Sequence, residues 1–352
     1  MVEGAIELML QPERVGAASP SLSMELADHD PTVWTMRLTI TACWPKFEIL
    51  GFSLAPAILR DSIQGKEMKS VSGKVVLVTG ASSGLGHELA HQLLEKGALV
   101  AATFRKQAEV DAYNAKHEKQ GLGVLADVTD DAAVKAGVAQ VLARFGRIDI
   151  VANCAGAGII GAVEEFSDAE ARRVFDLNFF GGLNVIRAVT PAMRQQGSGH
   201  VIQFSAIGGF IGFPGMGVYS AAKGATDILG EALAAELAPF GVAVTVLTIG
   251  IFETQFAGRS LAFAANKIEA YDNTPAGKFR GAIGNLQGKQ PNVPEKGAAA
   301  IINLMEADHP PVHAALGADA TGGMRRKMAG VEQELALWEA NASSTARNAE
   351  GA

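Results

Sequence analysis

From Lys74 to Gly250 the chain alternates apolar runs of strand length with segments of helical period, and this alternation most constrains what it can fold into. The rhythm is that of β-α-β units, in which parallel strands are buried on both faces and helices return the chain across the sheet. Six runs read as strands: KVVLVT (74–79), ALVAATF, GVLADV, IDIVANCAG, HVIQFS and VAVTVLTIG. Helical patterns fall on GLGHELAHQLLEKG, closed by Gly97, and on 130–145, 168–195 and 217–239. A helix near 294–306, a short strand near 312–317 and a helix near 324–340 complete the set. The fold class expected is α/β, a doubly wound parallel sheet in three layers. A single main domain spans 68–320, followed by a C-terminal helix and a disordered tail over 321–352.

Composition agrees with a buried-sheet scaffold: of 352 residues 40 are glycine, 48% are hydrophobic and only 19% are charged. Thirty Lys and Arg against 37 Asp and Glu leave a net charge of -7, which argues against nucleic acid or an anionic membrane surface as the main partner. Two cysteines, Cys43 and Cys154, form no disulfide framework, and a cytoplasmic, reducing location is expected. Residues 1–67 break the pattern. Their apolar patches VWTM and ILGFSLAPAIL are flanked by Arg37, Lys46 and Glu48 and fall short of the roughly 20 apolar residues of a membrane span. Glu3, Glu7 and Glu13 are unlike the start of a secretory signal. This stretch reads as an extension or a misassigned start, disordered and without assigned function.

The segment TGASSGLG (Thr79–Gly86) follows a strand directly and opens a helix directly. Glycines at 80, 84 and 86 permit a tight turn and let a diphosphate approach the backbone, where the free N–H groups and dipole of the helix favour negative charge. In that context the loop points to a dinucleotide.

Three residues between the first two glycines, with other motifs following in order, resemble the short-chain dehydrogenase/reductase family from about Ser72 to about Gly317. The resemblance implies a Rossmann fold in which Gly80, Ser82, Ser83, Gly84, Leu85 and Gly86 cradle the cofactor. Asp127 in LADVTD resembles the adenine-contacting Asp, and Asn153 opens NCAG, which is similar to the family's NNAG with Cys154 in place of its second Asn. Asn178 in DLNFFG matches the Asn that organises a proton-relay water, and Tyr219 and Lys223 match the Tyr-x-x-x-Lys pair. After the sixth strand Ile249-Gly250 replaces Pro-Gly, while Thr254 is kept and, with the backbone of Phe252, resembles the carboxamide contact. Helices 168–195 and 217–239 are those that pair subunits in the family, implying a homodimer or homotetramer.

The end of the second strand bears on cofactor choice. Members that prefer NAD place a carboxylate there for the ribose hydroxyls, but this chain has Phe104 followed by Arg105. A guanidinium can grip a 2′-phosphate with two charge-assisted bonds, so NADP(H) is favoured over NAD(H).

His87-Glu88-Leu89-Ala90-His91 is also a literal match to a zinc-protease signature. It lies in the helix that opens at the phosphate loop, and the sequence offers no convincing third ligand, so no metal is expected. The histidines read as surface residues, or one as a partner of the loop.

Tyr219 and Lys223, four apart, share a face if helical. A tyrosine of ordinary pKa, about 10, exchanges protons poorly at neutral pH, and a nearby ammonium is expected to favour its phenolate. The resemblance implies ketone reduction with Tyr219 as proton donor, resupplied through Lys223 and water at Asn178. The family ends its fifth strand with two serines, the second donating to the substrate oxygen. Counted back from Tyr219, that position is Ala206, preceded by Ser205. Successive side chains on a strand point to opposite faces, so Ser205 is a poor substitute.

Two functions remain open. One is an NADP(H)-dependent oxidoreductase interconverting a ketone and a secondary alcohol on an apolar small molecule. Phe210, Phe213 and Met216, with Phe256, Leu261 and Phe263 in a mobile lid at about 251–290, suggest the apolar character. The other is an NADP(H)-binding protein without net redox turnover: a sensor, a scaffold, or a non-redox isomerase or lyase. Ala206 favours the second; Asn178, Tyr219 and Lys223 favour the first. Ala206 itself can be an engineered change, a natural one with another donor, or a mark of lost redox chemistry.

Overall fold

The computed structural model describes residues 70–254, 261–283, 286 and 288–345, together with the backbone of four short strands nearer the N-terminus. These strands belong to a separate unit, Met1–Lys66. In it β1 (Leu22–Leu26) pairs antiparallel with β2 (Trp34–Leu38), and β3 (Glu48–Ile49) with β4 (Phe52–Ser53). The rest of the expected N-terminal extension, and the expected disordered tail beyond residue 345, lie outside the described residues.

The second unit, Glu67–Ala352, carries the expected doubly wound sheet. In chain order its first half is β5 (Val75–Thr79), α1 (Gly84–Glu95), β6 (Leu99–Phe104), α2 (Gln107–Lys116), β7 (Gly121–Leu125), α3 (Asp131–Phe145) and β8 (Ile150–Asn153). A short β9 (Gly158–Ile160) leads to α4 (Asp168–Phe175), then a wide π turn (Asp176–Phe180) and α5 (Gly181–Gln196). Next come β10 (Gly199–Phe204), α6 (Ile207–Phe210), α7 (Gly217–Leu237), β11 (Val242–Ile249), β12 (Leu261–Phe263), α8 (Pro275–Ile283), α9 (Pro294–Met305), β13 (His313–Leu316) and α10 (Ala318–Ser343). Seven parallel strands lie in the order β13-β11-β10-β8-β5-β6-β7.

Alternate residues of β5 feed two cores. Val76 and Val78 join Leu89 and Leu93 of α1 and Ile301 and Ile302 of α9, whereas Val75 and Leu77 join Val138 of α3, Val189 of α5 and Leu233 of α7. Burial on both faces is why these strands read as unbroken apolar runs. Strand order reverses between β5 and β8, and the crevice beyond their carboxyl ends is where ligands of such sheets bind.

The structure moves some boundaries. The third strand starts at Gly121, earlier than GVLADV suggests, because its glycines let α2 approach: a Cβ on Gly123 would lie 2.9 Å from the Val110 carbonyl oxygen. The helix expected at 168–195 contains the π turn, and the last helix begins at Ala318. In the segment read as a mobile lid, β12 pairs in parallel with β9, and α8 follows. No helix among the described residues is long and apolar enough to cross a membrane.

Candidate active site

The glycine loop turns sharply at Gly80 (φ 69°) and Gly84 (φ 60°), conformations that suit residues without a side chain. Gly80 also lies against the segment after β8, where a Cβ would come within 2.9 Å of Ala155 Cα. Thr79 Oγ1 ties the loops together: it donates to Asn153 Oδ1 at 3.1 Å and accepts from Ala155 N–H at 3.1 Å. Ser83, extended at the N-cap of α1, makes no side-chain cap, and Ser82 and Ser83 are exposed. The first-turn amides thus have no side-chain acceptor from Ser83, and an anion suits them. This cradle fits a dinucleotide diphosphate.

Thr254 comes close to the same turn, its Cβ 3.4 Å from where a Gly84 Cβ would be. Its segment is held from behind. Asp319 of α10 accepts from Ile251 N–H at 2.7 Å and from Asn292 Nδ2 at 2.8 Å, while Asn292 Nδ2 also donates to the Ile251 carbonyl at 2.9 Å. A side chain at Gly250 would have to push the Asp319 carboxylate away from these bonds. The ring of Phe252 packs beside Leu85 and Gly297. A cavity of about 430 Å³ runs alongside, lined by Gly84, Glu88, Glu253, Thr254, Val293, Pro294 and Glu295.

At the end of β6, Phe104 turns into the core and packs at a tilt against Tyr113, 5.2 Å between ring centroids, while Arg105 is exposed. Asp127 Oδ1 accepts from Thr129 N–H (3.0 Å) and Oγ1 (2.8 Å), which fixes that turn. The Asn153 side chain is buried, donating to the Gly182 carbonyl (3.0 Å) and Gln203 Oε1 (2.8 Å). Its amide joins neighbouring strands and a helix instead of facing the crevice. His87 Nδ1 lies 3.2 Å from the Ala81 carbonyl oxygen, making it the partner of the loop, and exposed His91 neighbours Glu95 at 3.7 Å.

Tyr219 and Lys223 lie on the buried face of α7, each 5% exposed. Lys223 Nζ donates to the Phe204 carbonyl at 2.8 Å. Burial draws its pKa down to about 8, opposed by the negative charge of Asp227. Burial also pushes the Tyr219 phenol well above its usual range, with Asp227 adding to the effect. Desolvation of the phenolate is the largest influence on this titration. Burial likewise raises the Cys154 thiol, so it stays protonated.

The π turn brings Asn178 inward. Its Nδ2 donates to the carbonyls of Ala157 (2.7 Å) and Val174 (2.9 Å), while Oδ1 is buried without a hydrogen bond. Gly156 separates Asn178 from Lys223, and Thr226 Oγ1 donates to the Asn178 carbonyl at 3.3 Å.

Ser205 and Ala206 part as the strand alternation requires. Ala206 packs with Tyr219, Met216, Phe213 and Ile159 in an apolar cluster. Ser205 is buried on the other side, its Oγ 2.8 Å from where a Gly209 Cβ would be. It leans toward Asp227 and lowers that carboxyl's pKa, although Ser205 Oγ and Asp227 Oδ1 lack hydrogen bonds of good geometry. Ser205 therefore does not replace the missing donor beside Tyr219.

The apolar cluster extends to Leu261, Ala264, Phe279 and Ile283 of the expected lid. Phe210 is half-buried and Phe263 exposed, while Phe256 lies outside the described residues. A buried ion pair fastens this segment: Glu165 accepts from Ala162 N–H (2.7 Å), Ile268 N–H (3.0 Å) and Arg280 Nη2 (2.8 Å to each oxygen). Burial would raise the Glu165 pKa, but these donors together bring it below the ordinary value. Sequence reasoning missed Glu165, one acid in VEE, and Asp227, although the latter's spacing of four from Lys223 was legible.

A model of the short chain dehydrogenase family matches residues 74–263. Oxidoreductase BOA17 of Botryotinia fuckeliana is 36% identical over 248 residues, 70% of this chain and 90% of that protein. A 3-ketodihydrosphingosine reductase of Bacteroides thetaiotaomicron is 35% identical over 247 residues, 69% and 88% of the two chains. The crystal structure of a short-chain dehydrogenase from Streptomyces avermitilis superposes with a TM-score of 0.72 at 38% identity, covering 78% of this chain and all of that one.

Proposed function

Because the chain belongs to the short-chain dehydrogenase family of oxidoreductases, we propose that it is an NADP(H)-dependent enzyme interconverting a ketone and a secondary alcohol on an apolar small molecule. The observation that carries this reading is the buried Tyr219–Lys223 pair, with Asn178 across Gly156 and apolar side chains around the phenol.

Gly80, Ser82, Ser83, Gly84, Leu85 and Gly86 would hold the diphosphate, Asp127 the adenine end, and Thr254 with the backbone of Phe252 the carboxamide. Arg105 supports NADP(H), since its guanidinium suits a 2′-phosphate. Bound NADPH supplies the hydride. Tyr219, neutral at physiological pH because burial disfavours its phenolate, holds the proton at Oη for the substrate oxygen. Lys223 restores that proton, and Asn178, held by Ala157 and Val174, orders the supply from solvent. The walls contributed by Phe213, Met216 and Leu261 favour an apolar substrate and exclude water. The relative named as a reductase of a keto compound supports the direction of reduction. Phe180 and Ile228, left exposed on the π turn and α7, support the homodimer or homotetramer.

Ala206 favours a second reading, in which NADP(H) binding persists without net redox turnover. Steady-state NADPH consumption over a panel of apolar ketones and quinones decides between them. Turnover that disappears in Tyr219→Phe is expected; tight NADPH binding with no turnover on any ketone would move the assignment to the second.

A further inference from the structure

Four titratable side chains, Tyr219, Lys223, Asp227 and Glu231, follow one another at intervals of four along α7. Residues so spaced are neighbours on a helix surface. The stripe runs from the interior to solvent: the first three are 5%, 5% and 6% exposed, whereas Glu231 is 47% exposed and lies 3.4 Å from His313 Nε2 on β13. A carboxyl as buried as Asp227 is uncommon and calls for a partner.

Ser205 approaches this carboxyl, but without a hydrogen bond of good geometry to Oδ1. Ser205 Oγ, Asp227 Oδ1 and Thr248 Oγ1 are all buried without a hydrogen bond. Strand alternation sets Ser205 and Thr248 on one face of the sheet. Phe204 pairs with Leu247 and both enter the core on the α1 side, so Ser205 and Thr248, one step further along, face α7. The charged and titratable groups acting on Asp227 are Lys223 and Glu231 on its own helix and His313 from β13, while Ser205 approaches from the end of β10. Lys223 in turn feels Asp227.

We propose that Asp227 is a positioning residue that sets the charge on Lys223 from behind, and that the His313–Glu231 pair at the end of the stripe connects that carboxyl to solvent pH. The proposal rests on the reading of Tyr219 and Lys223 as the proton-handling pair. Burial pushes the Asp227 carboxyl up to about 6, against Ser205, Lys223 and His313, and Lys223 stands at about 8. Between those values Asp227 is ionised and Lys223 protonated. Below that window the lysine loses its counter-charge, and above it the lysine loses its proton.

The test follows lysine 13Cε shifts with pH in the cofactor-free protein, with Lys223 assigned through Lys223→Arg. The pH profiles of kcat and KM are measured alongside. Asp227→Asn should lower the Lys223 midpoint by about one pH unit and move the alkaline limb of kcat with it, leaving KM unchanged. Asp227→Glu should restore both. Exposed variants serve where Asp227→Asn does not fold: His313→Asn should move the acid limb to higher pH and Glu231→Gln to lower pH. An unmoved Lys223 midpoint in folded Asp227→Asn, or acid limbs unmoved in both exposed variants, overturns the proposal. Loss of the parent reading looks different: Tyr219→Phe would keep its turnover whatever the lysine titration shows.

Discussion

Asn178 and Lys223 face each other across Gly156, where a Cβ would lie 2.8 Å from Asn178 Oδ1 and 3.3 Å from Lys223 Nζ. The first distance is too short for a real side chain, and neither neighbour is free to withdraw: Asn178 is held by Ala157 and Val174, and Lys223 by the Phe204 carbonyl. Gly156→Ala should therefore fold but displace one of the two proton-handling groups. A fall in kcat of about a hundredfold is expected, because small displacements of reacting groups cost on that order. Circular dichroism and single-turnover kinetics check both halves.

Ala206 packs beside Tyr219 while Ser205 faces Asp227, so position 206 is where a serine hydroxyl would stand beside the phenol. Ala206→Ser should raise kcat by about a hundredfold, the equivalent of roughly 3 kcal/mol of transition-state stabilisation. An unchanged or lower rate would show that another donor already fills the role.

Arg105 is exposed beyond β6 with no neighbouring carboxylate from Phe104, whose ring is in the core. Arg105→Asp should reduce the preference for NADPH over NADH, as a ratio of kcat/KM, by at least about tenfold. Equal losses with both cofactors would remove Arg105 from the recognition of the 2′-phosphate.

Glu165 and Arg280 form the buried fastening of the segment that closes the apolar cluster. Arg280→Met should cost about 3 kcal/mol and expose 261–283 to limited proteolysis, since it leaves a buried carboxylate without its cation. The folded pKa of Glu165 lies below its ordinary 4.5. Its contribution is accordingly full above that value and is lost as pH falls through the folded pKa. Proteolysis of the parent protein at descending pH should show the same cleavage only below the ordinary carboxylate range.

The strand and helix rhythm, the phosphate loop and the Tyr219–Lys223 spacing were legible in the sequence because each depends on neighbours along the chain. Val76 and Val78 alternate with Val75 and Leu77 in a strand buried on both sides, and Gly80 and Gly84 mark a turn that a side chain would strain. The same local counting put Ala206 and Ser205 on opposite faces. Tertiary structure decided what contacts across the chain control. It committed Asn153 to Gly182 and Gln203, and it turned one acid of VEE into the fastening for Arg280. It also set the ionisation of Tyr219, chiefly through burial. Desolvation and long-range hydrogen bonds depend on which segments the fold brings together, and no local spacing encodes that.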